Sequence, residues 1–125
     1  MKFVATLVLA CLASTQAMAD CPAKPPKIDW NIYSGDQRVD AGYLQGLLPG
    51  KKVRFSAGGV EHYRPNGKYR YSGGGRTYDA DSYRFYKNGV RCIGYSEPRF
   101  DLYVVHKGKL VLVNAVGTRY KAKVK

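Results

Sequence analysis

From Lys51 to Val124 the chain alternates between apolar and polar side chains. Val53 and Phe55 stand between Lys52, Arg54 and Ser56. Tyr69 and Tyr71 interleave with Lys68, Arg70 and Ser72, and Tyr83 and Phe85 flank Arg84. A period of two sends successive side chains to opposite faces of a strand. Gly58-Gly59, Pro65-Asn66-Gly67, Asn88-Gly89, Glu97-Pro98, Lys107-Gly108 and Gly117 punctuate these runs, and Asn88-Gly89 is the clearest tight-hairpin signal among them. Gly73-Gly74-Gly75 reads as the start of a longer, flexible loop through Arg76 and Asp81. The pattern predicts a mainly all-β domain: an antiparallel meander of about eight strands, closed as a small barrel or strongly bent as an open sheet.

Upstream the pattern changes. Residues 20–27 hold Pro22, Pro25 and Pro26, so they predict an extended arm, since proline lacks a backbone donor and holds φ near its own value. Ile28 to Tyr33 alternates and predicts a short strand. Asp40 is placed to cap a helix over Ala41 to Leu48, with Tyr43, Leu44, Leu47 and Leu48 on one side and Pro49-Gly50 ending it. Gly42 and Gly46 weaken that helix, and the alternative is an irregular apolar loop. Residues 1–19 read as a secretory signal. Lys2 begins it, an apolar run from Phe3 to Ala13 follows, and Ala17-Met18-Ala19 is a small-x-small cleavage site. The apolar run is too short to span a bilayer. One β domain over 20–125 is expected, with the arm and helix in 20–50 and the meander in 51–124.

Export changes how the cysteines are read. Cleavage removes Cys11 and leaves Cys21 and Cys92. Two thiols in an oxidising compartment favour one disulfide, tying the arm to the middle of the sheet. The alternative is a buried Cys92 beside an unpaired Cys21. A lipid-anchored Cys21 is disfavoured because Asp20 directly precedes it. Cys21, His62, Cys92 and His106 show no metal-ligand spacing, so neither a metal nor another cofactor is expected.

Charge points to a partner. The chain carries 21 Lys and Arg against 9 Asp and Glu. Losing Lys2 with the signal leaves 20 against 9, a surplus of +11. Such a surplus favours anionic partners such as lipopolysaccharide, anionic lipid, acidic glycan or nucleic acid. A generic solvated surface is the alternative. Alternation sorts the side chains into two faces. Val53, Phe55, Tyr69, Tyr71, Tyr83, Phe85, Phe100, Leu102, Val104, Leu110, Leu112, Tyr120 and Val124 are expected on one. Lys52, Arg54, Lys68, Arg70, Arg84, Arg91, Arg119, Lys121 and Lys123 are expected on the other. Base stacking needs aromatic and cationic groups on one surface, so nucleic acid is the weaker candidate. Arg54, Lys68, Arg70, Arg84, Arg91 and Lys121 are the candidate anion-binding residues. Buried tyrosine hydroxyls need partners, but side chains alone tend to fill so small a barrel, so a plain core is preferred over a ligand cavity.

Catalytic chemistry is sparse. Glu61, His62 and His106 with nearby arginines are the residues a small basic nuclease would use as acid, base and phosphate holder. Glu61 and His62 are adjacent in a strand, however, and should face opposite ways. No catalytic residues are therefore assigned.

Val60-Glu61-His62-Tyr63-Arg64-Pro65-Asn66-Gly67-Lys68-Tyr69, followed by Tyr83-Arg84-Phe85 and Gly89-Val90-Arg91-Cys92, resembles small exported proteobacterial proteins. These share an aromatic-x-Pro-(Asp/Asn)-Gly-x-Tyr hairpin and a later Gly-x-x-Cys strand. The resemblance covers about half the chain and implies a calycin-like or related small β barrel. Those proteins often carry a second cysteine in the strand after Gly-x-x-Cys; here Arg99 to His106 has none, which leaves Cys21 as the one candidate partner of Cys92. The functional expectation is an exported, non-catalytic β protein that binds an anionic envelope or host component through a basic face. The alternatives are a secreted nuclease using His62 and His106, and an inhibitor or accessory protein acting on a periplasmic protein partner.

Overall fold

The computed structural model describes residues 20–125; the secretory-signal expectation falls on residues outside that range. Among the described residues the elements are β1 (Asp36–Arg38), α1 (Ala41–Leu47), β2 (Lys52–Phe55), β3 (Val60–Tyr63), β4 (Tyr69–Gly73), β5 (Arg76–Ala80), β6 (Tyr83–Phe85), β7 (Val90–Ile93), β8 (Arg99–His106), β9 (Lys109–Asn114) and β10 (Arg119–Val124). All pairings are antiparallel. They form one ten-stranded sheet in the order β5-β4-β3-β2-β10-β9-β8-β7-β6, with β1 paired to β8 off that path. The expected β meander with one preceding short helix is present, with ten strands. It is a curled half-barrel, because β5 and β6 remain unpaired edges.

Strand β10 makes the bend. Its first half pairs with β9, Tyr120 opposite Leu112, and its second half pairs with β2, Ala122 opposite Phe55 and Val124 opposite Val53. It is therefore central, not the edge its C-terminal position implies. Segment 28–33 forms no strand; the short strand of this region is β1, three residues further on. The expected loop after Gly73 is also a strand. Gly74 (φ 60°) and Gly75 (φ 76°) make a two-residue turn, and β5 returns along β4 with Arg76 opposite Gly73. Successive positive φ values suit glycine and match the twist of a hairpin.

Four other hairpins share a different closure. In 55–59, 64–68, 86–90 and 114–118 the first amide donates to the last carbonyl, and the fourth residue donates back to the first carbonyl. The fourth residue is always a glycine at positive φ: Gly58, Gly67, Gly89 and Gly117. This is a three-residue loop with a glycine bulge, so Asn88-Gly89 makes the wider of the common hairpin turns.

Helix α1 begins where expected. The Asp40 carboxylate accepts from Tyr43 N (2.8 Å), and Leu44 and Leu48 are wholly buried. Tyr43 stays exposed, so the apolar stripe is narrower than the sequence implied. The helix closes one end of the half-barrel, where Gly50 N donates to Tyr63 O (2.7 Å).

Two apolar clusters sit on opposite faces of the sheet. Inside the curl, Leu44, Leu48, Val53, Tyr63, Tyr69, Phe85, Ile93, Tyr103, Leu110 and Leu112 pack together. Outside, Tyr86, Val90, Cys92, Leu102, Val104, Val111 and Val113 form a second cluster beneath Cys21 and Trp30 of the N-terminal arm. Phe100, Leu102 and Val104 thus lie opposite to the face assigned from alternation, and Tyr103 takes the inner position. Strands β7 to β9 are buried on both sides, and a doubly buried strand loses the apolar-polar signal that reveals its phase.

The arm is held covalently and by hydrogen bonds. Cys21 and Cys92 form a disulfide with Cα atoms 5.9 Å apart. The Tyr86 hydroxyl donates to Pro22 O (2.6 Å), and Asn31 Nδ2 donates to Gly117 O (2.9 Å). Among the described residues no helix is long and apolar enough to cross a membrane, and the disulfide is consistent with export.

Candidate functional site

The outer face of β2, β3, β4 and β10 gathers cations. Register sets Arg54 opposite Lys123 and Val60, and Lys52 opposite His62, which in turn faces Arg70. Lys121 lies two residues from Lys123 on the same side. Arg70 is matched by Asp79 (2.7 Å), but both side chains are open to water, so that pair is weak. Neither Lys52, Arg54, Lys121 nor Lys123 has a carboxylate within ion-pair distance among the described residues. Desolvation lowers the pKa of His62, and Arg64, Lys52 and Arg70 lower it further.

The six candidate anion-binding residues do not form one surface. Arg54 and Lys121 belong to this outer patch, with Arg70 at its far side, while Lys68 stands at the β3–β4 turn, next to the patch. Arg84 lies on the edge strand β6 and stacks over Tyr86 at 5.6 Å. Arg91 is a correction. It points inward and is 1% exposed, so it is no part of a basic outer face.

Arg91 instead centres a buried polar network. Its Nη1 donates to Glu61 Oε1 and to the Tyr63 hydroxyl, and its Nη2 donates to Asp101. The Glu61 carboxylate also accepts from Tyr63 and from Tyr103 (2.7 Å). Arg99, half exposed at the rim, forks onto Asp101 with bonds of 2.9 and 3.1 Å. The guanidinium of Arg91 lies 5.6 to 6.0 Å from the ring centroids of Tyr63, Tyr69 and Tyr103. Two charges out of water are costly unless their partners are well placed, and here almost every oxygen and nitrogen is matched. Burial works against charge on Arg91, but Glu61, Tyr63 and Asp101 outweigh it and hold its pKa well up. Burial pushes the hydroxyls of Tyr63 and Tyr103 up, keeping them as donors.

Beside this network the half-barrel is hollow. A cavity of about 550 Å³ opens away from α1, by the β2–β3 turn, and Glu61, Arg91 and Arg99 are among its lining residues. Its aromatic walls are Phe55, Tyr69, Tyr71, Tyr78, Tyr95 and Tyr120. The expected plain core therefore fills only the α1 end. Sequence alternation did mark Tyr69, Tyr71 and Tyr120 as inward, but not the polar floor.

A third cluster fixes the arm. Asp36, whose side chain has no solvent contact, accepts two bonds from Arg119 (2.7 and 2.8 Å), one from Tyr33 N (2.8 Å), and meets His106 Nδ1 at 2.8 Å. His62 and His106 are not brought together. Their strands β3 and β8 are separated in the sheet by β2, β10 and β9, and His106 is engaged with Asp36. Among the described residues no group of His, Cys, Asp and Glu has metal-site geometry.

Fold and site thus define an all-β half-barrel with a cationic outer patch and a tyrosine-walled hollow. Comparison with protein-family models, with curated proteins and with solved structures finds no match to this chain.

Proposed function

We propose that this is an exported, non-catalytic binding protein whose outer patch engages an anionic polymer or headgroup, such as lipopolysaccharide or an acidic glycan. The observation that carries the reading is the register of β2 and β10. Arg54 and Lys123 sit directly opposite each other, flanked by Lys52 and Lys121, without a carboxylate partner. Like charges across a strand pair cost stability, and a bound polyanion removes that repulsion while gaining from the patch's field. A secreted nuclease fits less well, since His62 and His106 lie on separated strands. The resemblance to small exported proteobacterial β proteins belongs to the same reading.

The test is retention of residues 20–125 on immobilised lipopolysaccharide, acidic glycan, peptidoglycan and RNA at two salt concentrations. Salt-sensitive retention on the first two, abolished in Arg54→Glu/Lys123→Glu, supports the proposal. Retention unchanged by the double variant, or indifferent to salt, refutes it. RNA cleavage by the wild type but not by His62→Ala would favour the nuclease reading instead.

A further inference from the structure

The hollow inside the half-barrel is chemically selective. Six aromatic side chains form its walls. Several meet edge to face or tilted, with centroid separations of 6.2 to 6.3 Å for Tyr69–Tyr95, Phe55–Tyr120 and Tyr71–Tyr78. Such walls suit a flat ring, whose faces and edges find complementary partners among tilted aromatics. Tyr71 is seated tightly: a Cβ at Gly59 would stand 2.1 Å from its hydroxyl oxygen, and one at Gly73 would stand 2.7 Å from it. Two glycines thus make room for one wall.

The polar groups narrow the choice further. Arg91, almost wholly buried, keeps its Nε without any hydrogen-bond partner. That atom is shut off from solvent by its neighbours, so it lies out of a ligand's reach. Arg99 at the rim uses Nε and Nη2 on Asp101, and no bond from its Nη1 is formed among the described residues. Glu61 is the carboxylate lining the hollow, and both its oxygens already accept, from Arg91, Tyr63 and Tyr103. The hollow therefore offers a spare charged donor on Arg99 and no spare carboxylate. A cation meets two arginines and no free carboxylate. An acceptor-bearing aromatic molecule meets both requirements.

We infer that this hollow binds a planar aromatic carboxylate, its ring among the tyrosines and its carboxylate on Arg99 at the rim. This site is separate from the outer patch, so either can fail without the other. The capacity of about 550 Å³ lies in the ordinary range for small-molecule sites.

The probe is 2-naphthoate, titrated into residues 20–125 by calorimetry, with 2-naphthylmethanol and cyclohexanecarboxylate as the uncharged and non-aromatic comparisons. One saturable site is expected, with both comparisons binding more weakly. Arg99→Gln removes a charged donor at the rim and should weaken naphthoate on the order of 10- to 100-fold. Ala57→Trp, at an exposed turn position on the lining, should block the mouth without disturbing the core. Arg54→Glu/Lys123→Glu should leave naphthoate binding intact. The inference is overturned by no saturable binding up to millimolar naphthoate, by binding that neither Arg99→Gln nor Ala57→Trp weakens, or by binding lost with the outer-patch variant. Should Arg99→Gln unfold, Ala57→Trp decides.

Discussion

Arg91 and Glu61 lie 30 residues apart in the chain and form an ion pair across the inside of the half-barrel, both almost completely buried. The pair joins the β3 side of the sheet to the β7 side, and Asp101, Tyr63 and Tyr103 complete it. Removing one partner strands the other in a medium that solvates charge poorly. Glu61→Leu should therefore cost about 3–5 kcal/mol. Glu61→Leu/Arg91→Met should cost less than the two single changes summed. Urea denaturation of the three variants checks both statements.

Loss of the disulfide should be felt globally. Cys21 and Cys92 are separated by 71 residues, and opening a loop of that length releases enough chain entropy to cost about 4 kcal/mol. The arm also covers the outer apolar cluster, so its release exposes Val90, Leu102, Val104 and Val111 to water. Cys21→Ser/Cys92→Ala should lower the denaturation midpoint, and added reductant should leave the variant unchanged while bringing the wild type towards it.

Acid stability should depend on Asp36. The side-chain bonds from Arg119 hold its pKa down, at about 2 against an ordinary 3.8. A carboxylate with a lowered folded pKa stabilises the fold above the ordinary value, and that contribution is lost as pH falls through about 2. Burial acts to raise Asp101, yet Arg91 and Arg99 leave it lowered, so it adds stability of the same sign. Asp36→Asn should flatten the loss of stability between pH 4 and pH 2, measured by urea midpoints across that range.

His62 should report on the outer patch. Desolvation and then Arg64, Lys52 and Arg70 depress its pKa, so folding disfavours its protonation and the fold loses stability as pH falls through 6.5. A polyanion on the patch counteracts the cations. Titration of the His62 ring by NMR should give a higher pKa with heparin present, and again in Lys52→Glu. An unchanged His62 titration in saturating heparin would place the polyanion elsewhere.

The packing of Tyr71 between two glycines makes a sharp test of the cavity wall. Gly59→Ala puts a methyl where the Tyr71 ring lies and should destabilise by about 1–3 kcal/mol. Gly59→Ala/Tyr71→Ala should cost less than the two single changes summed, because once the ring is gone the methyl no longer meets it. Thermal unfolding of the three variants measures the difference.

How much was legible in the chain follows from how each strand is buried. In β2, β4 and β10 one face meets water, so Val53, Phe55, Tyr69, Tyr71, Tyr120 and Val124 declared themselves as inward, and Arg54 and Lys121 as outward. In β7 to β9 both faces are covered; Leu110 and Leu112 of β9 were still placed inward, but in β7 and β8 phase was lost, with Phe100, Leu102 and Val104 placed on the wrong side and Arg91 read as a surface cation. The signal that places Arg91 is its two carboxylates. Asp101 sits opposite it on β8, while Glu61 comes from β3, a strand remote in sequence. No local pattern contains that contact. Sequence spacing likewise gave β5 away as a loop, since a strand at the sheet edge with exposed Arg76, Thr77 and Tyr78 has no apolar face to mark it.

The chain by itself determined the antiparallel meander, the positions of most of its turns and the Asp40-capped helix, because alternation, glycine at positive φ and side-chain capping are local properties of neighbouring residues. Tertiary structure alone decided that the sheet stops short of closure, that the arm seals a second apolar face, and that Arg91 lies between Glu61 and Asp101 at the floor of a hollow. Those outcomes depend on which distant surfaces exclude water from one another, and desolvation of a charge becomes tolerable only after its partners have been brought to it by the fold.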